Sequence, residues 1–178
     1  MTVGCQTSTK PSDDWFEGGS MRTASAETMQ LTARILASKG KTAQAGFVLD
    51  RMARDYPDQV ATYSEGAEVL MIEGRISDAI NWLGRGLERL PAHPVLLNDR
   101  GMCHLVAGDL GSATADFEAA HAADPGDADF VGNLALVRAL VGDEAGAAAL
   151  WGRILPPADI EANLQLARKA RPKFAEAQ

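Results

Sequence analysis

The chain has 178 residues, 46% hydrophobic and 23% charged, with a formal net charge of -7. That length suits one domain or one array of small repeats, and it buries enough surface (roughly 70% of what the unfolded chain exposes) to need no metal or disulfide staple. The acidic balance argues against a phosphate-backbone partner, which needs a basic face. No stretch approaches the ~20 apolar residues of a membrane span, and Cys5 and Cys103 form neither a disulfide framework nor a zinc spacing.

Residues 1–25 are rich in Thr, Ser, Gly and Asp, a composition expected of a disordered or tethering segment. Thr2-Val3-Gly4-Cys5, followed by the polar run Gln6-Thr7-Ser8, resembles the lipobox region of a bacterial lipoprotein. Only four residues precede Cys5, so the charged and apolar parts of a signal peptide are not in this sequence. The expectation is either a lipid-anchored Cys5 in a protein whose start lies upstream, or an ordinary exposed cysteine in a tail. Further on, Trp15-Phe16 sits between Asp14 and Glu17. Two aromatics there either dock a partner or fold back onto the first repeat, and folding back is the favoured expectation.

From residue 26 a period of 34 residues runs through the chain. Gly40, Gly74, Gly108 and Gly142 follow it, as do Ala45, Ala79, Ala113 and Ala147, and Leu49, Leu83, Phe117 and Trp151. Pro57, Pro91 and Pro125 form a further series, whose fourth place is Asp159, just after Pro156-Pro157. Before each glycine the apolar residues recur at helical spacing, as Leu96, Leu97, Met102 and Leu105 do. The glycine ends that helix, the alanine lets a second antiparallel helix approach, the bulky residue four positions on fills the space beside it, and the proline stops the second helix. The units are 26–59, 60–93, 94–127 and 128–161. Residues 160–171 are expected to form an amphipathic capping helix whose basic tail, Arg168, Lys169, Arg171 and Lys173, suits a helix C-terminus, and which Pro172 breaks, leaving 172–178 as a tail.

These residues resemble the tetratricopeptide repeat, best in 94–127, where Gly101, Gly108, Ala113, Phe117, Ala120 and Pro125 all match. The resemblance implies an all-α protein, a right-handed α-solenoid of four helix–turn–helix units plus the C-terminal cap. The pattern departs at Gly86, where alanine is preferred, at Met52 and Ile154, and at Met29, Tyr63, Leu97 and Val131, where the family favours tryptophan. Looser packing is expected there. One unit cannot bury both its apolar faces, so the array needs ends. The first helix has no predicted cover but residues 1–25, which leaves end-to-end pairing open.

By the same resemblance, the first helix of each unit lines a concave groove. Its positions fall on Gln30, Leu31 and Arg34; on Ser64, Glu65 and Glu68, with Met71 beyond; on Asn98, Asp99 and Met102; and on Gly132, Asn133 and Leu136. An asparagine amide holds an extended peptide by donating and accepting at once; the bland alternative is that Asn133 caps or is solvated. Residues 60–161 carry 16 acidic and 6 basic side chains, a net of -10, while 162–178 carry 4 basic and one acidic, a net of +3. The family's carboxylate-clamp members need groove cations, and only Arg34 fits. A neutral or basic segment with apolar anchors is therefore the expected ligand.

Catalytic patterns are sparse. His93, His104 and His121 match no metal or catalytic spacing, no phosphate loop or nucleophile elbow is present, and adjacent Cys103 and His104 diverge on a helix. His93 is expected at a solvated turn, His104 and Cys103 in packing roles. Glu65 and Glu68 share a face as a solvated edge sooner than as an acid–base pair. The expectation is a non-enzymatic protein without cofactor or metal, with a protein or peptide partner and no nucleic acid. The runs NLALVRALVGD and ADIEANLQLARKA look like those of the small tetratricopeptide lipoproteins of tight-adherence (Flp) pilus systems, the TadD type, which implies a pilotin-like envelope role at the periplasmic face of the outer membrane, with a secretin or pilus component as partner. A cytosolic adaptor or co-chaperone using the same groove is the alternative.

Overall fold

The computed structural model describes residues 24–175. Among these, nine helices and no strand are formed. They pair as α1 (Ala26–Ser38) with α2 (Thr42–Asp55), α3 (Val60–Ile72) with α4 (Ile76–Arg89), α5 (Pro94–Ala107) with α6 (Leu110–Ala123), and α7 (Ala128–Val141) with α8 (Glu144–Trp151), followed by α9 (Pro157–Ala175). The four turn glycines that link the members of each pair have φ between +69° and +100°, which a side chain with a Cβ adopts only under strain. Ser25, Asp109, Asp127 and Asp143 accept backbone N–H groups at the starts of α1, α6, α7 and α8 and so satisfy donors that a helix start leaves without partners.

The periodic alanines Ala45, Ala79, Ala113 and Ala147 are fully buried where paired helices approach, and Leu49, Leu83, Phe117 and Trp151 are buried beside them. Each second helix also packs on the first helix of the next unit, α2 on α3, α4 on α5 and α6 on α7. The odd-numbered helices touch in sequence from α1 to α9 and form one continuous face. This is an α-solenoid of four helix pairs closed by α9. Its buried side chains fall into two main groups. One runs from Met29 to Cys103 and the other from Leu105 to Ala167, meeting within α5.

Three expectations need correction. At two of the departures from the repeat pattern, Gly86 and Tyr63, the packing is tight, not loose. A Cβ on Gly86 would lie 2.6 Å from the Tyr63 ring, one on Gly66 2.2 Å from Trp82 Nε1, and one on Gly101 2.7 Å from Phe117. Glycine on one helix makes room for an aromatic on its partner, so a large side chain has moved across the interface. The Trp82 indole N–H then donates to the Thr62 carbonyl at 3.2 Å, and Arg85 lies over its ring, 4.8 Å from the centroid.

The C-terminal boundaries also differ. α8 has 8 residues where the other second helices have 14. Gly152 and Pro156-Pro157 end it early, and Pro157 opens the next helix, where its missing N–H costs nothing. The cap therefore spans Pro157–Ala175 instead of 160–171, and Pro172 lies inside it, so a tail from 172 does not begin there. Anchors on both sides of Pro172 hold the turn. Arg171 donates to the Ala139 carbonyl and to Glu144, each at 2.9 Å, and Phe174 packs against the second core group. Finally, His93 is half-buried at the start of α5 with its Nδ1 enclosed, because the chain turns there tightly onto the preceding helix.

Candidate groove

Two hollows open among the odd-numbered helices. The first, of about 410 Å³, is lined by Ser64, Glu65, Ala67, Glu68 and Met71 of α3 and by Asp99, Met102 and Cys103 of α5. Five residues expected in the groove, Ser64, Glu65, Glu68, Asp99 and Met102, thus converge on one space. Ala67, Met71, Met102 and Cys103 give it an apolar floor and the four polar residues a largely acidic rim. The second hollow, of about 400 Å³, lies between α5, α7, α8 and α9. Leu136 is in it, joined by Leu105, Leu140, Trp151, Leu166 and Phe174. Leu166 is 63% exposed.

The expected groove residues also bond to one another across units. Arg34 of α1 donates to Glu65 and to Glu68 of α3 (2.8 Å for Glu68). Ser64 donates to Asp99, and the Asn133 amide donates to the Asn98 side-chain oxygen at 2.8 Å. A period near 34 residues places equivalent positions of neighbouring first helices side by side, so polar residues there meet. Glu65 and Glu68 are accordingly ion-pair partners of Arg34. Asn133 is committed to Asn98 on one side of its amide, so it neither caps a helix nor is simply solvated. Gln30 is half-buried and Leu31 is 59% exposed on α1, and neither lines a hollow. Gly132 lies against Ile154.

The electrostatics of the first hollow follow from burial. Loss of water raises the Asp99 carboxyl above its ordinary value, against the lowering effect of hydrogen bonds from Ser64 and Asn98. Burial, reinforced by Asp99, pushes the Cys103 thiol up to about 11. At neutral pH Cys103 is a protonated thiol, 3% exposed, a floor residue and not a nucleophile. His104 stands 3.7 Å from Asp109 and 3.9 Å from Asp116. Asp116 is buried and receives a bidentate pair of bonds from Arg100 at 2.7 and 2.8 Å. That arrangement joins α5 to α6 and faces no hollow of the groove. Among the described residues no group of three or more His, Cys, Asp or Glu is placed to hold a metal ion, and no helix is long and apolar enough to cross a membrane.

Residues that line the hollows but were not expected in the groove include Cys103, Leu105, Leu140, Trp151, Leu166 and Phe174. Leu166 and Phe174 lie beyond the last repeat, where no period assigns a face. Cys5 and Trp15-Phe16 lie outside the described residues.

The fold is that of tetratricopeptide repeat proteins. It is similar to TTC0263, a thermophilic TPR protein of Thermus thermophilus, with a TM-score of 0.62 and 18% identity over 86% of this chain and 81% of that one. The MamA protein is similar at a TM-score of 0.56 and 16% identity, over 84% of this chain and 87% of that one. A chain from the structure of Naa15/Naa10 bound to HypK-THB matches at 0.56 and 15% identity, over 86% of this chain but 25% of that one. At these identities the likeness is one of fold. No protein-family model matches the chain, and no curated protein matches it in sequence.

Proposed function

We propose that the chain is a non-enzymatic scaffold that holds a polypeptide segment along the face of its odd-numbered helices. The observation that carries this is the pair of hollows lined chiefly by odd-numbered helices, each with an apolar floor, the first with a rim of side chains already bonded to one another. The rim chemistry selects the ligand. Arg34, the cation that would greet a terminal carboxylate, is held by two glutamates, and the surroundings of the first hollow are acidic. A neutral or basic segment with apolar anchors, one for the Met71–Met102 hollow and one for the Leu136–Leu166 hollow, fits this surface.

The finer reading is a lipid-anchored envelope protein of the TadD kind, which assists secretin or tight-adherence pilus assembly from the periplasmic face of the outer membrane. It is supported by the Gly4-Cys5 context and by the residue pattern of the last two units. Two experiments separate the levels. Replacing Asn133 and Leu136 by Arg and Glu is expected to abolish capture of neutral and basic peptides in a panel while leaving helical circular dichroism intact; retained capture contradicts the groove assignment. Intact mass of the protein purified from its own cells is expected to show a diacylglycerol-modified Cys5 as the first residue. An unmodified terminus upstream of Cys5, with the protein in the soluble fraction, leaves the scaffold and removes the envelope role in favour of a cytosolic adaptor.

A further inference from the structure

The second hollow continues past the groove. Leu140 of α7 and Phe174 of α9 line it, and both also line a further hollow of about 650 Å³, with Leu110, Thr114, Val141 and Arg171. The two spaces meet over that pair of side chains and make one trough, with Leu166 toward one end and Val141 toward the other. Both of these end residues are more than half exposed. The lining is almost wholly apolar. Its hydrogen-bonding side chains are Asn163, Thr114 and Arg171, and the Thr114 hydroxyl already donates to the Leu110 carbonyl at 2.7 Å.

Arg171 stands on the Val141 side. A guanidinium has five N–H donors. Its Nη2 donates to the Ala139 carbonyl and to Glu144. Nε is enclosed without a partner among the described residues, and Nη1 lies beside Gly142 at the end of α7. Glu144 is shared with Arg168, so one carboxylate faces two guanidiniums, and Lys173 is exposed close by on α9. Positive charge with donors to spare thus borders an apolar trough, whereas the first hollow is rimmed by Glu65, Glu68 and Asp99. We infer that the trough binds one long-chain fatty acid, its acyl chain laid over Leu140 and Phe174 and its carboxylate at Arg171. A polypeptide backbone threaded through both hollows would give up water from its N–H and C=O groups and meet almost no partner. An acyl chain carries no such groups and gains from each methylene buried. Its single anionic end needs one cation, which Arg171 supplies through a charge-assisted hydrogen bond. The site goes beyond the peptide-holding reading and does not depend on it. The second hollow takes either the acyl chain or a peptide's side-chain anchor, so the two ligands exclude one another there.

The test is titration of the full chain with hexadecanoate below its micelle concentration, read by calorimetry and by methyl-resolved NMR. One equivalent is expected to bind and to shift the methyls of Leu136, Leu140, Val141 and Leu166 together, leaving Met71 unmoved. Tetradecanoate is expected to bind about tenfold more weakly for its two lost methylenes. The methyl ester of hexadecanoate, which keeps the chain and loses the charge, is also expected to bind about tenfold more weakly. Arg171→Gln is expected to abolish the preference for the acid over the ester. Because Arg171 also anchors α9, Leu166→Glu is the second variant. It changes an exposed rim position and is expected to keep helical circular dichroism while binding hexadecanoate at least about tenfold more weakly. A Leu166→Glu chain that binds as the native one does overturns the proposal. So do equal affinities of the native chain for acid and ester, several equivalents bound, or shifts centred on the first hollow. A ligand-free dimer in sedimentation that buries these methyls assigns the trough to a second copy and overturns it too. Loss of this site with peptide capture intact leaves the scaffold standing, and hexadecanoate binding without peptide capture does the reverse.

Discussion

Around α3 and α4 the close approaches pair a glycine with an aromatic, Gly66 with Trp82 and Gly86 with Tyr63, whereas α7 and α9 pack through Ala135, Ala139, Leu164 and Ala167 with Trp151. The groove surfaces of the two halves differ in the same way. The N-terminal half is crossed by Arg34 with Glu65 and Glu68 and by Ser64 with Asp99, and Leu31 on its end helix α1 is exposed. The C-terminal half presents leucines, and its end is closed by α9. The same 34-residue unit thus supports a charged, cross-linked wall and an apolar hollow. Which one forms depends on what the neighbouring first helix offers at the equivalent position.

The largest test of this contrast is Phe117→Ala. Phe117 is fully buried against Gly101 at the centre of the array, and its loss is expected to cost about 3–5 kcal/mol in urea unfolding. An effect below ~1 kcal/mol would break the claim that the third unit is packed around that ring. Next comes Gly86→Ala. Helix propensity favours alanine by about 1 kcal/mol, and the repeat pattern prefers it. The contact with Tyr63 opposes it, and overpacking of this kind costs about 1–3 kcal/mol. The variant is expected to melt lower, and a higher melting temperature would mean that the second unit is loose. Arg34→Ala is expected to change stability by no more than ~1 kcal/mol, because its pairs with Glu65 and Glu68 are half-exposed.

The smallest effect concerns the closed end. Bonds from Arg168 and then Arg171 hold the Glu144 carboxyl at about 2, below its ordinary 4.5. A depressed carboxylate contributes stability that is complete above the unfolded value and lost as pH falls through the folded one. The difference in urea midpoint between the native chain and Glu144→Gln is therefore expected above pH 4.5 and is expected to shrink from there toward pH 2. A difference that does not change with pH would detach α9 from this pairing.

Much of the fold was legible because the period repeats one physical solution four times. Gly40, Gly74, Gly108 and Gly142 need positive φ, and Ala45, Ala79, Ala113 and Ala147 need closeness, so their spacing carries the helix pairs. What escaped was compensation between positions. Nothing local says that Tyr63 fills the place above Gly86, or that Pro172 is held inside α9 by Arg171 and Phe174. For the groove, the repeat register names Ser64, Glu65, Glu68, Asp99 and Met102, which line one hollow. It missed that Arg34 and Asn133 are engaged by their neighbours, since pairing between units is a property of side-chain reach. It also missed Leu166 and Phe174, which follow no period.

The central claim is that the odd-numbered helices hold a polypeptide through two apolar hollows. Methyl-resolved NMR of the full chain, titrated with neutral, basic and acidic peptides carrying two spaced leucine or phenylalanine anchors, tests it most directly. The account predicts that neutral and basic peptides shift the methyls of Met71, Met102, Leu136 and Leu166 together, and that acidic peptides shift them least. Shifts confined to α2, α4 and α6, or no response to any of the three classes, would contradict it.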